Sequence, residues 1–195
     1  MHRDHLDVPS LRRIPRGTRV LAPTGAARVL ARTGLDVTEM GPGDRAEVGG
    51  VTVTATPAEH DGSRGPRGPH GPALGFLVEG TRRVYFAGDT DLFPGMGDLA
   101  PDLDAALVPI WGWGPSIGPG HLDPAGAADA LRLLRPAIAV PIHWGTLYPA
   151  WLSRGRRGYL DAPVHEFARH AREHAPGTRV VVLRPGKINR LNSSS

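Results

Sequence analysis

The chain opens Met1-His2-Arg3-Asp4-His5, so three of its first five side chains can donate a lone pair to a metal ion. Imidazole and carboxylate at this spacing suit Zn²⁺ or another borderline divalent ion. Three more residues share one setting: His60, Asp89 and His143 each follow directly on a run that reads as a β-strand. Ligands at strand ends can converge on one sheet edge while the strands hold their spacing. A lone His or Asp there is more often structural, but the joint pattern is harder to dismiss. Together these residues offer four imidazoles and two carboxylates. That donor set suits two metal ions sharing a bridging carboxylate and a bridging hydroxide. The opening run also reads as the tail of a longer His-x-His-x-Asp-His motif, with its first His expected upstream of Met1.

The elements that must position these groups alternate between the two periodicities. Val51 to Thr56 alternates strictly, as a half-buried strand does, and delivers His60 just beyond its end. Leu74–Glu79 and Arg82–Ala87 read as two strands about a Gly80-Thr81 turn, the second leading into Gly88-Asp89-Thr90. Asp104–Pro109 and Ala137–Ile142 read as strands, the latter ending at His143. Asp123 and Pro124 begin a helix through Leu134, and a last helix is expected over Val164–His174, before a strand over Arg179–Leu183. Nearer the start, Leu6–Ile14 reads as a short helical turn and Arg19–Ala22 as a strand. Thr24 is the expected cap of a helix running to Arg32 and ended by Gly34. The Gly-, Pro- and Arg-rich run from Asp61 to Pro72 reads as a loop. Alternation of strands and helices makes the class α/β. The expected organisation is one domain over residues 1–186 and a frayed tail over 187–195.

Composition narrows the chemistry. With no Cys, thiolate-bound metals and disulfides are excluded, and any metal must sit on His, Asp or Glu. No run approaches the ~18–20 apolar residues of a membrane span and no signal peptide opens the chain, so a cytoplasmic location is expected. The net charge is only +4 and Lys187 is the only Lys. This Arg bias, with 26 Gly and 20 Pro, fits a GC-rich coding sequence better than a polyanion-binding surface. Arg154-Gly155-Arg156-Arg157 remains a candidate contact for an anionic substrate.

The ordered set His2-Arg3-Asp4-His5, His60, Gly88-Asp89-Thr90 and His143 resembles the metallo-β-lactamase superfamily over essentially the whole chain. The stretch from Ile110 through Gly120-His121-Leu122-Asp123-Pro124 is similar to the branch holding ascorbate-phosphate lactonases and N-acylphosphatidylethanolamine phospholipase D. The resemblance implies an αβ/βα sandwich, here expected to lack the first N-terminal strands, from a misassigned start. It implies one ion on His2 and His60, a second on Asp4, His5 and His143, and Asp89 bridging the two. A hydroxide between two Zn²⁺ ions would be the nucleophile, with Mn²⁺ or Fe²⁺ also admitted by such ligands. His121 would face the site without ligating, touching the substrate or assisting proton transfer to the leaving group. Asp4 would also orient the attacking water. The Met1 amine is a candidate stand-in for the missing His.

Other residues read more plainly. His165, His170 and His174 lie on the last predicted helix among Arg and Glu, and a solvated charged face is the expectation over a metal site. His70 is expected to be exposed and Asp91 to form a turn or support a ligand. Trp111 and Trp113 either line a pocket or pack the loop on the core. The function expected is a zinc hydrolase cleaving an ester, lactone or phosphodiester in a small molecule, with no nucleic-acid partner. The alternatives are a nucleic-acid-processing member and a non-catalytic remnant holding one ion or none. Nothing in the sequence sets the oligomeric state.

Overall fold

Short elements alternate along the chain, beginning with α1 (Val8–Leu11), β1 (Arg19–Pro23), α2 (Ala26–Leu30), β2 (Asp36–Met40), β3 (Arg45–Val48) and β4 (Val51–Pro57). There follow β5 (Leu74–Glu79), β6 (Arg83–Phe86), a 3₁₀ turn at Met96–Asp98, β7 (Ala105–Pro109), α3 (Pro124–Leu134), β8 (Ile138–Ile142), α4 (Gly158–His174) and β9 (Arg179–Val180). This computed structural model describes residues 1–112, 117–146, 158–184, 186–188 and 190. Trp113, the Arg154–Arg157 run and most of the expected tail lie outside the described residues.

Seven strands form one mixed sheet in the order β3-β4-β5-β6-β7-β8-β9. From β3 to β6 the pairing is antiparallel, and from β6 to β9 it is parallel. Parallel neighbours need long crossovers, and α3 and α4 supply them between β7, β8 and β9. The main core lies between sheet and helices. Ala127, Ala130, Leu131 and Leu134 of α3 share a cluster with Val164 and Phe167 of α4, Tyr85 of β6 and Val108 of β7. On another part of the sheet, Ala55 and Leu74 pack with Met40 and Leu21 of the separate parallel pair β1-β2.

The α/β class holds, and β4, β5 and α3 form where alternation and capping place them. Asp123 is the N-cap of α3, and its Oδ1 accepts from Gly126 N at 2.7 Å. Differences are instructive elsewhere. Gly25, not Thr24, caps α2. The free amides of Gly25 and Ala27 both donate to Glu39 Oε1 at 2.8 Å, so β2 supplies the missing cap. β6 begins at Arg83 rather than Arg82, whose carbonyl accepts from Gly80 N in the hairpin turn and whose guanidinium is held by Asp104 Oδ1 at 2.6 Å. The last helix begins at Gly158, six residues before the expected Val164, and carries Pro163 inside it, buried. A proline there costs one helical N–H and crowds the preceding turn, yet its burial in the core offsets part of that. Among the described residues, no helix is long and apolar enough to cross a membrane.

Candidate metal centre

Gly88-Asp89-Thr90 leaves the end of β6 as the hub of the site. Gly88 has φ +68°, and a Cβ there would stand 2.7 Å from Leu74 O, so only glycine lets the chain turn Asp89 inward. Thr90 is fully buried. Its Oγ1 accepts from Glu59 N at 2.9 Å and donates to Asp91 O at 2.8 Å, while its carbonyl accepts from Leu122 N at 2.9 Å. These bonds tie the segments bearing His60 and His121 to the Asp89 turn. Asp91 itself closes a turn, its Oδ1 accepting from Leu92 N.

The opening motif is a hydrogen-bonded turn in which His5 N and Leu6 N both donate to His2 O. Arg64 brackets it, donating from one Nη1 to Met1 O at 3.1 Å and to Leu6 O at 3.0 Å. The Met1 amine donates to Gly62 O at 2.8 Å.

Six imidazole and carboxylate groups singled out from the sequence meet here, together with His121. Asp89 Oδ2 lies 3.5 Å from His5 Nε2, 3.5 Å from His60 Nε2, 3.3 Å from His121 Nε2 and 3.8 Å from His143 Nε2. His2 Nδ1 stands 3.1 Å from His60 Nε2, and His5 Nε2 stands 3.2 Å from His143 Nε2. Asp4 Oδ2 is 3.9 Å from both His5 Nε2 and His143 Nε2. The Asp89 side chain is only 6% exposed, whereas that of Asp4 is 36% exposed, so the cluster has a closed floor and an open mouth.

Backbone carbonyls fix the rings. His60 Nδ1 donates to Gly120 O at 2.7 Å, His143 Nδ1 to Trp111 O at 2.6 Å, and His121 Nδ1 faces the carbonyls of Gly118 and Pro119 at 3.2 Å each. A carbonyl only accepts, so each Nδ1 carries a proton and Nε2 is the ring atom turned into the cluster. His143 is held with φ +60°, a left-handed conformation that is costly for a residue with a side chain and common at functional sites.

Charges follow the geometry. Hydrogen bonding to Asp89 holds His5 above its ordinary imidazole value, against the opposing effect of burial. Burial pushes His60 down, and the charge of Asp89 only partly offsets it. Burial works to raise Asp89, but the His5 hydrogen bond and the nearby His143, His60 and His121 outweigh it and hold the carboxyl low.

This donor set fits divalent metal ions. Bare ring nitrogens and a carboxylate oxygen at such distances repel unless a cation or a proton lies between them. Asp89 Oδ1 is buried and has no hydrogen-bond partner among the described residues, an orphan that an ion would satisfy. A tetrahedral ion with ~2.0–2.1 Å bonds sets its ligand atoms about 3.3 Å apart, and the spacings of 3.1–3.5 Å around His2, His60, Asp89 and His5 match it.

Two cavities open beside the cluster. One of about 490 Å³ is lined by Arg3, Asp4, Ser10, His143 and Thr146 among others. The other, of about 320 Å³, is mostly apolar and is bounded by His2, His60 and Asp89 at one end. Away from the site, His70 and His165 are exposed. The charged face expected on α4 is more ordered than a solvated surface: His174 Nδ1 meets Asp129 Oδ1 of α3 at 3.0 Å and His170 meets Arg169. His170, Glu173 and His174 form a separate donor group. Sequence reasoning named Thr90 within its motif but gave it no role, and it missed Arg64 and the carbonyls of Gly120 and Trp111; the small and glycine-rich runs around them were the only signal.

A mixed α/β sheet with histidines and carboxylates gathered at one place beside it defines a domain with a candidate metal centre. A family model described as a beta-lactamase superfamily domain matches residues 1–144. A UPF0173 metal-dependent hydrolase of Symbiobacterium thermophilum is 33% identical over 198 residues, covering 98% of this chain and 79% of the relative. The chain belongs to the metallo-β-lactamase superfamily, within the UPF0173 family. A UPF0173 metal-dependent hydrolase of Thermoplasma acidophilum is also 33% identical, and the chain spans 62% of that protein's length. Among solved structures, Igni18, a metallo hydrolase of Ignicoccus hospitalis, is similar with a TM-score of 0.70 and 27% identity, over 95% of this chain and 74% of that one.

Proposed function

We propose that this domain is a zinc-dependent hydrolase of the cytoplasm that cleaves an ester-like, lactone or phosphodiester bond in a small molecule. The observation that carries the reading is Asp89 Oδ2, which stands within 3.3–3.8 Å of the Nε2 atoms of four histidines. The names of the Symbiobacterium and Ignicoccus relatives, both metal-dependent or metallo hydrolases, support it. In this reading Asp4, His5 and His143 would hold one ion, His2 and His60 would hold another, and Asp89 would serve both. When bound, such ions supply Lewis acidity and bring the pKa of water down to roughly 7.

The chain's own groups do the rest. Gly120 O and Trp111 O keep the protons of His60 and His143 on Nδ1, so both rings present a lone pair inward. Asp4 is the more exposed carboxylate, at the mouth, and is placed to accept a proton from a water and orient it. His121 acts at the same centre, with its Nε2 against Asp89. The cavity beside Asp4 and His143 has room for a small molecule and exposes Arg3, a cation suited to an anionic group on it.

The test is metal analysis joined to assay. Zinc-reconstituted protein should hold about two ions per chain at this centre and hydrolyse at least one member of a panel of aryl esters, lactones and aryl phosphodiesters. Asp89→Ala should abolish both properties together. No bound metal after reconstitution, or no hydrolysis of any panel class by the metal-loaded protein, would sink the reading.

A further inference from the structure

We infer that His121 is itself a metal ligand, joining His2, His60 and Asp89 around one ion, rather than a group that only touches the substrate or passes it a proton. The inference rests on the metal-dependent reading above. Its ground is geometric. His121 Nε2 stands 3.3 Å from Asp89 Oδ2, the shortest contact that the carboxylate makes with any of the four rings. It also equals the ligand-to-ligand spacing of a tetrahedral zinc site, about 3.3 Å. Donor atoms of His60, Asp89 and His121 all lie within 4.8 Å of one another.

The ring is mounted as the other inward-facing rings are. Its Nδ1 faces the carbonyls of Gly118 and Pro119, which places a proton there and turns Nε2 inward, as in His60 and His143. His60 is flanked on two sides in the same manner. Its centroid lies 4.8 Å from that of His2 at 77° and 4.7 Å from that of His121 at 81°. His2 and His121 thus approach His60 edge-on at matching distances, and His2 Nδ1 stands 3.1 Å from His60 Nε2.

A ring held through Nδ1 with Nε2 turned inward serves a proton shuttle as well as a ligand, so the mounting alone does not separate the two roles. The 3.3 Å approach of Nε2 to Asp89 Oδ2 favours a shared cation. The set of His2, His60, Asp89 and His121 supplies four protein donors, the usual number at a zinc ion.

The experiment compares wild-type protein with His121→Ala and His121→Gln, all in a His174→Ala background so that the donor group on α4 adds no ion to the count. Zinc per chain is measured after dialysis, affinity by competition with a chromophoric chelator, and geometry by visible absorption of the Co²⁺-substituted protein. Far-UV circular dichroism and retention of one tight ion, at Asp4, His5 and His143, report that each variant is folded. Expected is loss of one of two tight ions, with its affinity reduced on the order of 100-fold or more, beyond what loss of a mere supporting hydrogen bond does. The Co²⁺ band of that site should fall with it. Two ions bound with wild-type affinity and an unchanged Co²⁺ spectrum in both variants overturn the inference, and a fall in turnover alone would then assign His121 to proton transfer. If wild type holds two ions yet hydrolyses nothing, the proposed function fails and the ligand assignment stands or falls on the variants. If wild type binds no ion, both fall.

Discussion

His60 donates from Nδ1 to the carbonyl of Gly120, 60 residues away in sequence, and the side chain that follows Gly120 is His121. One loop therefore orients one donor of the cluster and carries another. Gly120 has φ +80°, and a Cβ on it would sit 3.3 Å from His60 Nδ1. Gly120→Ala should turn the carbonyl away and release the His60 ring. Zinc affinity should fall about 10- to 100-fold while the fold is kept, as read by chelator competition beside circular dichroism. Unchanged affinity would show that the carbonyl does not set the ring.

Thr90→Val keeps shape and removes the hydroxyl that satisfies Glu59 N in a fully buried position. An amide left without its partner costs about 1–3 kcal/mol. Urea unfolding should show a loss of that size. Zinc affinity should drop as well, because the His60 segment loses its tie to the Asp89 turn. A stability loss with zinc binding untouched would confine Thr90 to the fold.

Zinc should stabilise the folded chain, since the donors converge only there. At free zinc a hundredfold above Kd, one site contributes about 2.7 kcal/mol. For a domain of this size each kcal/mol moves Tm by about 2–4 °C, so a rise of about 5–10 °C is expected in a thermal melt. Asp89→Ala should melt at one temperature with or without zinc. A wild-type curve that ignores zinc would be the contrary result.

Burial pushes the Tyr85 hydroxyl up to about 12, whereas in the unfolded chain it ionises near 10. A folded-state value raised above the unfolded one contributes stability that is whole below pH 10 and is lost as pH rises toward 12. The stability difference between wild type and Tyr85→Phe should therefore shift against wild type by on the order of 2 kcal/mol across that window. All other groups are common to the two proteins and cancel in this difference. Parallel curves for the two proteins would count against the burial argument.

Much of the frame was readable because apolar alternation is strong where both neighbours are paired. β4 and β5 sit inside the sheet and announce themselves; β3 is an edge strand, Arg45–Val48, largely exposed, and its alternation runs over only four residues with Ala46 and Val48 as its apolar members. β2 was equally quiet, and with it went the capping role of Glu39, which depends on a contact across 12–14 residues. The donor side chains were legible because only a few residue types bind metals, and because His60, Asp89 and His143 each come after a strand while His2, Asp4 and His5 crowd into one short motif. Their holders were not, because the carbonyls of Gly120 and Trp111 are chemically the same as any other. Nor could spacing tell that His121 faces Asp89, since the path of the loop decides it.

Arg64 ties the two ends of the His2–His5 turn to the loop over residues 61–72 through Met1 O and Leu6 O. The order of the turn that carries His2, Asp4 and His5 thus depends on a surface loop, and a protease cut within that loop should loosen the turn while the sheet beneath stays folded.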